Sequence, residues 1–276
     1  MPSWHIEWLS LVTLGERGRW GAGFEVALLD SGAAPVSGTM NERFSHFSAD
    51  GQRQSPRDRR RDFHGTMAAG ALASDDVHTP GVATGARCAC FDVYGSLAKP
   101  VPWRVARALE VALERGVDVV CCPFSLPQLS PELRRALERA ARLGVPVIVA
   151  QGNDGDPGHE FPERARGVIA VAASNERGRV LPGRIGPWTT IAAPGWKIIA
   201  RTPGGSEYFN GTSAAAPVLA GVVTLALGYA RARGGEGLER WLRHELVEVL
   251  RRSAIHGGGV PILNAAGLFE AINQKG

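Results

Sequence analysis

Three polar side chains stand where this chain could do chemistry. Ser213 lies in Asn210-Gly211-Thr212-Ser213-Ala214-Ala215-Ala216-Pro217, a small polar turn that runs into an apolar segment reaching about residue 230. That segment is apolar on all sides (Val218, Leu219, Val222, Val223, Leu225, Leu227), the pattern of a helix in a protein core or a bilayer. Ser213 is therefore expected at the N-terminal end of a buried helix. There the free backbone N–H groups and the positive end of the dipole favour negative charge. A nucleophilic serine needs these features, with donors near any oxyanion it creates. Asp30 follows the apolar run 24–29 and opens Asp30-Ser31-Gly32. That reads as a parallel strand delivering a carboxylate at its C-terminal edge, where sites in open α/β sheets gather; an Asx-turn explains the same three residues equally. His64 opens the small-residue stretch 64–73, which reads as a helix packed tightly on its neighbour. A lone histidine at a helix start also serves structure.

The elements that must position these groups follow from the alternation of patterns. Runs 87–93, 117–122, 145–150 and 168–172 read as strands. Residues 103–115 and 131–143 carry apolar side chains at helical spacing. Strands alternating with helices predict a three-layer α/β fold, a mostly parallel sheet with helices on both faces. No linker, repeat or low-complexity segment divides residues 1–276, so one catalytic domain is expected. The arginine-dense stretch 51–62 (Arg53, Arg57, Arg59, Arg60, Arg61) reads as a solvated loop, with an acidic partner or proteolytic nicking as the other uses of such a loop.

Taken together, Asp30-Ser31-Gly32, His64-Gly65-Thr66 and Gly211-Thr212-Ser213-Ala214-Ala215-Ala216-Pro217 are far more specific than any one of them. Their order Asp, His, Ser is that of subtilisin, and the chain resembles the subtilisin-like serine proteases (subtilases) over nearly its whole length. Gln151-Gly152-Asn153 matches the family's small-Gly-Asn oxyanion motif. Ala193-Pro194-Gly195 and Ile262-Leu263-Asn264-Ala265-Ala266 match two further landmarks. The resemblance implies acyl transfer. Ser213 attacks a peptide carbonyl, His64 takes its proton, and Asp30 fixes the imidazole tautomer. Asn153 donates to the tetrahedral oxyanion.

The departures from the family pattern bear on substrate. Met67 stands where a second histidine is common, and Ala214 where methionine usually follows the serine. The family pairs substrate with extended segments on either side of the cleft, which correspond here to Pro123-Phe124-Ser125-Leu126 and Lys99-Pro100-Val101-Pro102. Their prolines remove donors, so a narrow, selective cleft is expected, with Gly152 also lining it. Phe161-Pro162 resembles the family's aromatic-Pro landmark. The residue before it, often glycine, lines the floor of the primary pocket and is Glu160 here, with Asp154 and Asp156 nearby. A carboxylate in a partly desolvated pocket favours a cationic P1 side chain, so cleavage after Arg or Lys is expected. A Glu160 turned to solvent is the competing reading.

The totals bound the rest. The chain has 276 residues, 44% hydrophobic and 21% charged, with a formal net charge of +4. Much of that charge comes from one loop, so no nucleic-acid partner is expected. Gly221, Gly228 and the lack of a preceding basic cluster argue against a membrane span in the serine helix. No secretion signal is visible in the first twenty residues. A cytoplasmic protein is expected, a secreted mature form being the alternative. Cys88, Cys90, Cys121 and Cys122 lack C-x-x-C spacing and read as buried reduced thiols. No cofactor is expected. Subtilases often bind calcium, and Asp75 and Asp76 are the pair that could ligate it. The expected function is a serine endopeptidase processing peptides or exposed loops of proteins. The rivals are a transpeptidase or macrocyclase with the same triad, and a silent peptide-binding pseudoprotease. The sequence is silent on oligomeric state.

Overall fold

The computed structural model describes residues 4–10, 21–36, 42–153, 160–183, 185–257 and 259–276. Its frame is a seven-stranded parallel sheet. In chain order the strands are β1 (Glu25–Asp30), β3 (Phe44–Ser48), β5 (Arg87–Asp92), β6 (Val119–Cys122), β7 (Val147–Ala150), β8 (Val168–Ser174) and β9 (Ile191–Pro194). They lie side by side in the order β3-β5-β1-β6-β7-β8-β9. Two short antiparallel pairs flank it: β2 (Gly32–Ala33) with β4 (Arg57–Asp58), and β10 (Ile198–Thr202) with β11 (Gly205–Phe209).

Besides one short turn of helix at Glu160–Glu163, the helices of the described residues are α1 (Trp4–Trp8), α2 (His64–Ala73), α3 (Pro102–Glu114), α4 (Pro131–Arg142), α5 (Thr212–Ser253) and α6 (Ala265–Lys275). Period-two alternation in the strands sends side chains to two cores. Val26, Leu28, Cys88, Cys90 and Cys121 join α2, α5 and α6 on one face. Ala27, Leu29, Phe91 and Cys122 join α3 and α4 on the other. The expected three-layer architecture is therefore the observed one. All four cysteines are buried and free, as their apolar surroundings dictate.

Three features differ from expectation. Strands β3 and β9 extend the sheet at its two edges. Their sequences, FSHFS and IAAP, are too short and mixed to show a strand period. The serine helix runs on past residue 230 to Ser253, broken at Gly234 and Gly235 (φ 65° at the latter). By length and composition α5 could cross a membrane, but 89% of its most apolar stretch is buried under the sheet. It is a core helix. The arginine stretch is not simply a solvated loop, because Arg57–Asp58 form β4 against β2.

Candidate active site

Asp30 ends β1 and is 1% exposed. One oxygen, Oδ1, accepts from the Ser31 backbone N–H at 2.7 Å. Its carboxylate also meets His64 Nδ1, at 3.0 Å from Oδ1 and 2.9 Å from Oδ2. An ionised carboxylate only accepts, so Nδ1 carries the proton. In the neutral ring Nε2 is then the free acceptor. Burial pushes the His64 pKa down, but the charge and hydrogen bond of Asp30 outweigh it and leave the pKa raised above its ordinary value.

Two local devices bring the ring to the carboxylate. Phe63 adopts a left-handed conformation (φ 54°, ψ 37°) that turns the chain into α2, so His64 is the first residue of the helix. Gly65 then lets α2 close on the end of β1. A Cβ there would lie 2.0 Å from the Gly32 carbonyl oxygen and 3.2 Å from Asp30 Cβ. Behind the pair sits Asp58, which sequence reasoning missed inside the arginine stretch. It accepts from Ser31 Oγ at 2.6 Å and from Thr66 N and Oγ1 at 2.8 Å each. It thus clamps the residue after Asp30 to α2, and burial pushes its pKa up.

Ser213 is half-buried in the first turn of α5, behind Gly211 (φ 88°, ψ −167°). Helix α5 packs against α2. The His64 ring stands edge-on to Phe209, four residues before the serine, with centroids 5.3 Å apart. Among the described residues no hydrogen bond joins the Ser213 hydroxyl to His64; that contact is commonly loose until substrate is bound. Asn153 faces the same turn. Its Oδ1 accepts from the Thr212 backbone N–H at 2.8 Å and from Thr212 Oγ1 at 3.2 Å. A backbone N–H can only donate, so the amide orientation is determined and Nδ2 is the end left for the cleft. Thr212 Oγ1 also accepts from Gly152 N at 3.1 Å, and Gly152 takes a φ of 102° to allow it. Thr212, a missed residue, therefore ties the oxyanion motif to the serine turn.

The expected substrate segments fare unevenly. Pro123 and Phe124 are buried, with Phe124 packed between Tyr94 and Phe161, so these side chains serve the core rather than narrowing the cleft. Ser125 is half-buried, and Leu126 pairs its backbone with Phe161 (N–O 2.9 and 3.1 Å). Pro100 and Val101 are half-exposed, and the Val101 N–H is already taken by the Val93 carbonyl. Glu160 sits before the cis Phe161–Pro162 bond. Its carboxylate accepts from Leu129 N at 3.0 Å and pairs with Arg164 at 2.7 Å. It is an anchored, charge-paired group, not the bare carboxylate expected. Asp154 and Asp156 lie outside the described residues.

On the far side of Asn153 is a cavity of about 400 Å³ walled by Ala172, Ala173, Leu181, Ile185 and Trp196, sharing no residue with Ser125–Leu126 or Glu160–Phe161. Asp75 and Asp76 are engaged with Arg43 and Arg201. Asp76 also takes the backbone N–H groups of His78 and Thr79. Among the described residues no group of three or more His, Cys, Asp or Glu side chains could hold a metal.

Comparison with known proteins places the chain in a family. The Subtilase family matches residues 21–268. M-protease of Shouchella clausii is 31% identical over 227 residues, covering 80% of this chain and 58% of that protein. Subtilisin BL of Lederbergia lenta is 30% identical, covering 80% of this chain and 82% of its own. Among solved structures, the Prenylagaramide maturation protease PagA superposes with a TM-score of 0.79 at 23% identity, covering 96% of this chain and 98% of its own. Fervidolysin from Fervidobacterium pennivorans gives 0.79 at 21%, covering 97% and 45%. These last two likenesses are of fold. On the family match and the identity to subtilisins, the chain belongs to the subtilase family and is a subtilisin-like serine endopeptidase.

Proposed function

We propose that Asp30, His64 and Ser213 form the catalytic triad, with Asn153 in the oxyanion hole, and that the protein is a selective processing endopeptidase. The observation that carries this reading is the 2.9 Å contact between His64 Nδ1 and the buried Asp30 carboxylate, beside the N-terminal turn that holds Ser213. Nε2 of the imidazole takes the hydroxyl proton as Oγ attacks the peptide carbonyl. The resulting imidazolium is held by Asp30 and gives the proton to the leaving amine. Asn153 Nδ2 and the N-terminal N–H groups of α5 meet the oxyanion. Water then resolves the acyl-enzyme. The apolar cavity beyond Asn153 takes the leaving-group side.

For the acyl side, cleavage after Arg or Lys remains our reading of Glu160. Its pair with Arg164 is an i,i+4 contact whose arginine is 71% exposed. Such pairs are worth about 0–1 kcal/mol, so a substrate cation can displace it. The likeness in fold to PagA supports maturation of a leader-bearing peptide as the task. The four free buried thiols fit a reducing compartment. A fluorophosphonate probe should label the wild type and not Ser213→Ala, and absence of labelling in folded wild type would leave the peptide-binding pseudoprotease. On peptides differing only at P1, Arg and Lys should be cut faster than Phe or Leu; the reverse order removes Glu160 from the pocket. The mass of the released acyl fragment separates hydrolysis from transpeptidation.

A further inference from the structure

Beside the catalytic histidine lies a basic basin of about 470 Å³. One wall is Arg59, Arg60 and Arg61; the other is Ser96, Leu97 and Ala98. The two walls are joined where Arg60 Nη1 reaches the Ala98 carbonyl at 3.5 Å. Both lead directly into the site. Asp62, on the rim, is two residues before His64 and acts on its charge. Ala98 adjoins Lys99-Pro100-Val101-Pro102, one of the two segments that the family resemblance sets along the substrate, on the acyl side in our reading.

The charges in the basin do not balance. Arg59 Nε is paired with Asp92 at 2.8 Å and Arg60 with Asp62. Arg61 is exposed and has no hydrogen bond or ion pair among the described residues. Lys99 is exposed just beyond the opposite wall. One guanidinium without a partner among the described residues, Arg61, therefore lines a concave surface that could seat a carboxylate. Guanidinium binds that group through two parallel N–H donors.

We propose that this basin is a subsite for an acidic side chain of the substrate, on the acyl side and upstream of P1, with Arg61 as its specificity-determining residue. The inference rests on the triad reading only for the direction in which the peptide lies. A carboxylate seated there pairs the one guanidinium of the wall that lacks an acidic partner, and an uncharged isostere does not. Recognition is electrostatic and solvent-exposed, so salt weakens it.

The test uses peptides identical except for Glu, Gln or Lys at the third and fourth positions before the scissile bond. In low salt kcat/KM should favour Glu over Gln by about three- to fivefold at one of these positions. The ratio should shrink as NaCl is raised to about 0.5 M. Arg61→Glu, an exposed change that leaves the core untouched, should invert the order to favour Lys. Equal rates for Glu and Gln at both positions, or a Glu preference that survives Arg61→Glu, overturn the proposal. A second arm needs no turnover. Fluorescence anisotropy of the acyl-side peptides on Ser213→Ala should show the same Glu preference in Kd, lost in the double variant with Arg61→Glu. Failure of labelling at Ser213 strikes the triad reading alone, while indifference of Kd to Glu against Gln strikes this one alone.

Discussion

At the scale of single residues, the role we propose for His64 requires that its two nitrogens be unlike. Asp30 accepts the hydrogen bond from Nδ1–H, which leaves Nε2 as the basic nitrogen, and it also raises the pKa of the ring against the opposing effect of burial. The sign of the consequence is definite. A base works only when deprotonated, so the acid limb of kcat/KM should lie above pH 6.5, the ordinary histidine value. The same shift stabilises the fold below pH 6.5, and that contribution is lost as pH rises through the raised value. In Asp30→Asn the lowering by burial is no longer opposed by the Asp30 charge. We expect the acid limb to move to lower pH while the plateau falls on the order of 10⁴-fold, as a pH–rate profile of both proteins will show. A limb that stays in place would mean that Asp30 does not set the pKa. Asp30, His64, Ser213 and Asn153, the groups we propose for catalysis, were all candidates from the sequence, because each sits in a short motif whose neighbours are demanded by geometry. Asp58 and Thr212 were not. A carboxylate in an arginine run and a threonine in a turn carry no mark of their partners, which come from segments far along the chain.

At the scale of elements, the site depends on how closely α2 approaches β1. Gly65 sets that distance, since any side chain there meets the Gly32 carbonyl. Gly65→Ala should push the helix outward and cost about 1–3 kcal/mol of stability. It should also lower kcat by about 10²-fold through misplacement of His64. Thermal unfolding and turnover measured on the same sample check both. The helices α3 and α4 and most strands appear near their expected bounds, because their apolar periods are long enough to read. The edge strands β3 and β9 did not. A strand of four or five mixed residues is stabilised by the neighbour it pairs with, β5 or β8, rather than by its own pattern.

At the scale of the molecule, the sheet separates stability from chemistry. Arg243, on α5 beyond the Gly234–Gly235 break, pairs with Asp118 at 2.8 Å and with Glu239 through Nε at 2.9 Å. Asp118 in turn accepts from Glu25 N at 2.9 Å. This cluster holds the second half of α5 to the N-terminal end of β1, whereas Asp30 is at the other end of the same strand. All three side chains are mostly buried, so Arg243→Ala should cost about 3 kcal/mol and lower Tm by about 5–10 °C. Its kcat at room temperature should stay that of the wild type; a large fall in kcat would show that the two ends of the sheet are coupled. The sequence alone determined the layered architecture and the family, and it singled out the four residues we propose for catalysis, since those follow from periodicity and from motifs a few residues long. Only the tertiary structure decided that Phe124 belongs to the core, that Glu160 is already paired, and that three arginines form one wall of a basin beside His64. Burial and charge pairing depend on which distant segments the fold brings within a few ångströms, and no local pattern carries that information.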